Sequence, residues 1–296
     1  MSEMTEFLGR AEKLLARLEA LLPVSPPPPD WSAAIAFRWQ KPAGGAGVAG
    51  RGHLLPVLHP HRIRLDHLQG VEEQAARIDQ NTRQFVAGRH ANNVLLTGAR
   101  GTGKSSLVKA MLDRYAEAGL RLIEIDRQDL VDLPEIVELI STRPERFVIF
   151  CDDLSFEAEE PGYKALKSVL DGSIAGMPDN LLLYATSNRR HLMPEYMADN
   201  LAGQRHGEEI HPAETVEEKV SLSERFGLWL SFYPFDQEHY LAICRVWLQE
   251  FGGPTMDETL RQDALQWALS RGARNGRVAW QFARDAAGRQ ASGADA

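Results

Sequence analysis

Cysteine is scarce in this sequence: Cys151 and Cys244 are the two present, far apart and each inside an apolar run. That excludes a disulfide framework or a cysteine-rich metal centre and predicts two small core residues in a reducing compartment. Positive charge is also short. With 33 lysines and arginines against 41 aspartates and glutamates, the formal net charge is −8, which disfavours sequence-blind nucleic-acid binding, because that depends on a cationic surface displacing counterions from phosphates. A local basic patch stays open, so nucleic acid is a less favoured partner. Long apolar runs are missing too: no stretch approaches the roughly 18 consecutive apolar residues of a membrane helix, and the acidic N-terminus lacks the basic-then-apolar order of a signal peptide. The expectation is a cytoplasmic protein without a membrane span.

What is present suffices for a full core, since 44% of the 296 residues are hydrophobic. Phe7, Ala11, Leu14, Leu18 and Leu21 recur at helical spacing until Pro23 and the Pro26–Pro29 run, which no helix continues through. This N-terminal helix is expected to lay its stripe on the chain's own core, with a partner-binding or coiled-coil role as the alternative. From Trp31 to Arg64, aromatics alternate with arginines around a glycine-rich stretch. The segment is expected to be an irregular arm with buried aromatics, the alternative being a surface that stacks single-stranded nucleic acid.

Val71, Ala75, Ile78 and Phe85 mark a helix, and strand-like and helical patterns then alternate to Pro234. The strand candidates are Asn93–Thr97, Arg121–Ile125, Phe147–Cys151, Leu181–Ala185 and Leu228–Tyr233, short apolar runs of the kind buried on both faces of a parallel sheet. After Asp236 the pattern is helical only, with Tyr240, Ile243, Trp247 and Phe251 on one stripe that Gly252 and Gly253 end, and two more helices following. Three parts are expected: residues 1–65 as helix, Pro-rich linker and arm, 66–235 as an α/β core, and 236–296 as a small helical domain with a disordered tail.

Gly98, Gly103, Lys104 and Ser105 satisfy G-x-x-x-x-G-K-[ST] within GARGTGKS, after the apolar strand at Val94–Leu96 and before a helical run through Leu107, Ala110, Met111 and Tyr115. Glycines let main-chain N–H groups close around phosphates, the helix N-terminus adds partial positive charge, and the lysine reaches the β- and γ-phosphates. The expected ligands are ATP, cradled by Gly98, Ala99, Arg100, Gly101, Thr102, Gly103, Lys104, Ser105 and Ser106, and Mg²⁺, held by Ser105 with Asp152. Asp152 and Asp153 stand at the end of the apolar run FVIFC, where open α/β sheets bind ligands. Asp153 is expected to orient or deprotonate the attacking water, with a cap or turn residue as the other reading. LLLYA leads to Thr186-Ser187-Asn188, where Asn188 is expected to donate to the γ-phosphate or hold the water, the alternative being a plain turn. His206 and His211, in the acidic 199–219 segment, lack the spacing of a metal pair.

The order of these elements resembles the AAA+ ATPases: GARGTGKS is similar to Walker A, FVIFCDD to Walker B and LLLYATSN to the sensor 1 strand. The resemblance extends from Asp66 to Arg284. It implies a P-loop NTPase fold, a parallel sheet sandwiched by helices, followed by a small all-helical lid. It makes Arg225 of SERF an arginine finger, acting in trans in a homo-oligomer, and Arg274 of GARNGR a sensor 2 residue. Asp66–Gly70 is similar to the segment that contacts adenine. The phrases NVLLTGARGTGKSSLVKA, YATSNRRHLMPE and SLSERFGLWLSFYPF look more narrowly like a bacterial family of predicted AAA+ ATPases that carries no assigned job. Two features depart from AAA+ proteins. Asp153 stands where they usually carry Glu, which points to slow turnover with Glu157 as a substitute base, and DRQDLVDLPEIVELI lacks an aromatic–apolar–Gly pore loop, which disfavours protein unfolding. The implied function is a Mg²⁺-dependent ATPase acting as an oligomeric machine or switch on a macromolecular client that the sequence does not name. The alternatives are an ATP-dependent loading module with little turnover or, further off, a P-loop kinase.

Overall fold

The computed structural model describes residues 4–5, 7–13, 29–41, 52–156, 160–172, 176–188 and 222–293. The strands are β1 (Ala36–Gln40), β2 (His53–Pro56), β3 (Val94–Gly98), β4 (Leu120–Glu124), β5 (Arg146–Cys151), β6 (Leu181–Ser187) and β7 (Leu228–Phe232). They form one sheet in the order β2-β1-β4-β5-β6-β3-β7, parallel except for the β1–β2 pair. All five strands read from sequence are there.

The central strands are apolar throughout because both faces of the sheet are covered. Side chains alternate across a strand, so Leu95, Ile149 and Leu183 join one core with Ile136 and Leu166, from α3 (Leu133–Ile140) and α4 (Pro161–Asp171). Their neighbours Leu96, Val148 and Tyr184 join the other core, with Ile78 of α1 (Glu72–Val86) and Met111 of α2 (Lys104–Tyr115). Three further helices, α5 (Gln237–Glu250), α6 (Glu258–Ser270) and α7 (Gly276–Gly293), bury a separate core around Tyr240, Cys244, Ala264 and Phe282. The fold is the expected α/β sheet sandwiched by helices and followed by a helical lid. Both cysteines are buried and free, as their apolar surroundings predict. Among the described residues no helix is long and apolar enough to cross a membrane.

The segment expected to be an irregular arm differs. It supplies β1 and β2, so the sheet begins well before Asp66. β1 pairs in parallel with β4, Phe37 opposite Ile123, a partner far away in sequence that no local pattern reveals. Trp31, Phe37 and Trp39 are buried. Trp31 meets Phe37 and Phe147 edge to face at 4.7 and 4.8 Å, and Trp39 Nε1 donates to Asp132 at 3.0 Å. Rings used this way are not available to stack on bases.

The N-terminal helix also departs from its favoured reading. Residues 7–13 are helical, yet Met4, Phe7 and Leu8 are exposed, so this part does not bury its stripe on the core. Leu14, Leu18 and Leu21 lie outside the described residues.

Candidate nucleotide-binding site

The ends of β3, β5 and β6 converge because the three strands are parallel neighbours, and each delivers its polar residues at the same edge of the sheet. β3 runs into the P-loop at Gly98, whose φ is 130° and whose site could hold no side chain: a Cβ there would lie 1.9 Å from the Phe232 carbonyl oxygen of β7. Gly101, at φ 73°, likewise leaves room for the lid, since a Cβ would lie 2.7 Å from the Asn275 side chain. Thr102 Oγ1 donates to the Ala99 carbonyl at 2.8 Å and ties the loop across its base.

Lys104 opens α2 and is buried. Its Nζ donates to the carbonyls of Gly98 at 2.8 Å and Ala99 at 2.7 Å and to Asn188 Oδ1 at 3.0 Å. Burial lowers its pKa, while the charges of Asp152 and Asp153 oppose that shift. Gly98 and Ala99 turn their carbonyls to the lysine, and Arg100 to Ser106 line the cleft. Ser105 Oγ donates to Asp152 Oδ1 at 2.6 Å, which brings the two residues expected at the metal together. Thr186 Oγ1 donates to the same Asp152 oxygen at 2.5 Å and accepts the Asp153 main-chain N–H at 2.9 Å. Asp153 has φ 53°, the left-handed region, which aspartate tolerates better than most residues. Asn188 Nδ2 donates to Asp153 Oδ1 at 2.5 Å. One amide thus touches both the lysine and the second acid. Cys151, just before Asp152, is a neutral thiol with its pKa pushed up to about 12 by burial, so it offers no thiolate there.

The cleft over these groups measures about 830 Å³, large enough for a nucleotide on the usual scale of ligand sites. Arg100, Lys104, Lys109 and Arg277 line it, a local cationic group within an acidic chain. It also has an apolar and aromatic lining: His67, Val71, Phe235, Ile243, Trp247 and Trp280. His67 lies in the segment whose sequence resembles an adenine contact. Its ring is 5.1 Å from that of Trp247; among the described residues neither nitrogen makes a hydrogen bond, although Nε2 is 3.3 Å from Glu250 Oε2.

The lid closes the site. The N–H of Gly276 donates to the Gly101 carbonyl at 2.8 Å, and Asn275 Oδ1 caps α7 by accepting the Val278 N–H at 3.0 Å. This docking places Arg277, in the first turn of α7, on the cleft, while Arg274, exposed like Arg277, does not line it. Of the two arginines of GARNGR it is thus Arg277, and not the Arg274 that the resemblance singles out, that borders the cleft; spacing alone does not say where the helix starts. Arg225 sits elsewhere altogether, ion-paired with Asp171 just ahead of β7. Glu157, His206 and His211 lie outside the described residues. Sequence reasoning also missed Thr186, Lys109 and the two lid tryptophans; Thr186 carried a signal in its place at the end of a buried strand.

A family model described as Protein of unknown function (DUF815) matches residues 32–290. The chain belongs to the DUF815 family. No curated protein matches this DUF815 chain in sequence. Among solved structures it is similar to the Thermotoga maritima RuvB Holliday junction branch migration motor, at 15% identity and TM-score 0.42, over 74% of this chain and 70% of that one. It is also similar to the Aeropyrum pernix ORC1 protein in complex with DNA, at 16% identity and TM-score 0.49, over 72% of this chain and 58% of that one.

Proposed function

We propose that this DUF815 protein binds ATP and hydrolyses it with Mg²⁺ as an AAA+ ATPase, in a homo-oligomer whose client the site does not identify. The observation that carries the reading is the Ser105–Asp152 contact beside the P-loop, where a hydroxyl from the first turn of α2 and a carboxylate from the end of β5 meet beside a buried lysine. Phosphates suit the Arg100–Ser106 loop and the cations of the cleft, and the base suits its aromatic side chains. The donor set fits a hard cation: two oxygens from Ser105 and Asp152, with water completing the shell. A Mg²⁺ ion held by Ser105 and Asp152 would supply positive charge to the β- and γ-phosphates. Lys104 leaves its carbonyl acceptors for phosphate oxygens, Asn188 holds the water or the γ-phosphate, and Asp153 accepts the water's proton.

A second reading, a loading module with little turnover, is favoured by one feature: Asp153 is one methylene shorter than glutamate and already engaged by Asn188. Steady-state phosphate release decides between the two readings. The ATPase reading expects turnover with Mg²⁺ that vanishes in EDTA, and an Asp153→Asn variant that binds ATP but turns over at least about a hundredfold more slowly, within the range of general-base losses. Phosphate release at the same rate by Asp153→Asn places the base on another residue; no release by the wild type favours the loading module.

The lid arginines give a further expectation. Arg277→Ala weakens ATP binding about tenfold or more, the worth of a lost charge-assisted hydrogen bond, whereas Arg274→Ala stays within about twofold, as surface charges do. Calorimetric titration of both variants checks this, and the opposite ranking restores Arg274 to the sensor role.

A further inference from the structure

We infer that Thr186 is the positioning residue of this site: one hydroxyl sets both Asp152 and Asp153. The inference rests on the ATPase reading above and adds a residue to it. The β5–β6 ladder ends at the pair Cys151 and Ala185. Immediately beyond it the two chains stay joined through the Thr186 side chain. Its Oγ1 donates to Asp152 Oδ1 at 2.5 Å and accepts the Asp153 N–H at 2.9 Å, while its carbonyl accepts the Leu154 N–H at 2.6 Å. A hydroxyl has one proton to give, and here it goes to the metal-side carboxylate.

Two consequences follow from that arrangement. Thr186 is 2% exposed, so its bonds are shielded from competing water. It also anchors the one described non-glycine residue with left-handed φ, Asp153, whose main chain turns there to present its carboxylate to Asn188. Ser105 shares Asp152 Oδ1 at 2.6 Å. With the Ser105 oxygen committed to a metal, Thr186 would be the remaining hydroxyl among the described residues that orients Asp152. Outer-shell partners of this kind typically govern metal affinity by about 10–100-fold.

The test compares Thr186→Val, which keeps the branched shape and loses the oxygen, with Thr186→Ser, which keeps the oxygen. Calorimetry gives the affinity for a non-hydrolysable ATP analogue with Mg²⁺ and in EDTA, and the ratio of the two is the metal enhancement. Thr186→Val is expected to cut that enhancement about tenfold or more while leaving the metal-free affinity within about twofold, and Thr186→Ser to restore it. A purely structural role moves both affinities together and gains nothing specific from serine. If Thr186→Val shows no melting transition, Thr186→Cys, small and a weak donor, carries the same expectation. Unchanged metal enhancement in a folded valine or cysteine variant, or a serine variant as defective as valine, overturns the role of Thr186 alone. A wild-type chain whose analogue affinity ignores Mg²⁺ overturns the ATPase reading and this role with it.

Discussion

Lys104→Ala is expected to weaken ATP binding at least about a hundredfold, because it removes a charge-assisted donor worth roughly 1.5–3 kcal/mol per hydrogen bond from a site where the ammonium meets several oxygens. The structure shows how concentrated that role is. The ammonium is buried and already holds the Gly98 and Ala99 carbonyls and Asn188 within 3.0 Å. Phosphate oxygens compete for the same donor, so binding exchanges one set of acceptors for another of higher charge. Alanine leaves those carbonyls without this partner and the cleft without its innermost cation. Calorimetry with Mg²⁺ATP reads the loss directly, and far-ultraviolet circular dichroism checks that α2 is intact. Wild-type affinity in a folded Lys104→Ala protein would falsify the P-loop assignment.

The second large effect concerns Arg225. β3 and β7 run parallel in register, from Val94 opposite Leu228 to Gly98 opposite Phe232. The P-loop follows the last pair and Arg225 precedes the first, so the two lie at opposite edges of the sheet, separated by five paired residues or about 16 Å at ~3.3 Å per residue. No side chain spans that distance, so Arg225 does not serve its own cleft. Its guanidinium is instead paired with Asp171, which raises its pKa and lowers that of Asp171. A surface pair of this kind is worth at most about 1 kcal/mol. If Arg225 also completes a neighbouring subunit's site, Arg225→Ala lowers turnover about a thousandfold, the low end of what such arginines contribute, and ATP still binds. Mixing Arg225→Ala with Lys104→Ala then restores partial activity, since each supplies the half the other lacks. Unchanged turnover by Arg225→Ala, or a mixture that stays inactive although mixed oligomers form, reduces Arg225 to its pair with Asp171.

The site was legible in sequence wherever main-chain geometry forces residue type. Gly98 and Gly101 have positive φ and no room for a Cβ, so their identity announces the loop. Asp152 and Asn188 were legible for another reason: each follows a buried apolar run, and parallel strands must deliver their ends to one edge of the sheet. That Arg277 and not Arg274 borders the cleft was not legible, because GARNGR offers two arginines and their placement depends on where α7 begins. That start is set by Asn275 capping the helix and by Gly276 donating to Gly101, a contact between residues far apart in the chain.

By itself the sequence determined the alternation of strands and helices, the P-loop, the pair of acids after β5 and the helical lid, since periodicity and steric demands at single positions are local properties. Tertiary structure alone decided that β1 and β2 extend the sheet and that Arg225 lies at the end of β7 opposite to its own cleft. It also decided that Thr186 joins the two acids. These depend on which distant segments pair and in what register, and register is an energy of the whole sheet, because one residue of slip would turn every buried side chain to the wrong face.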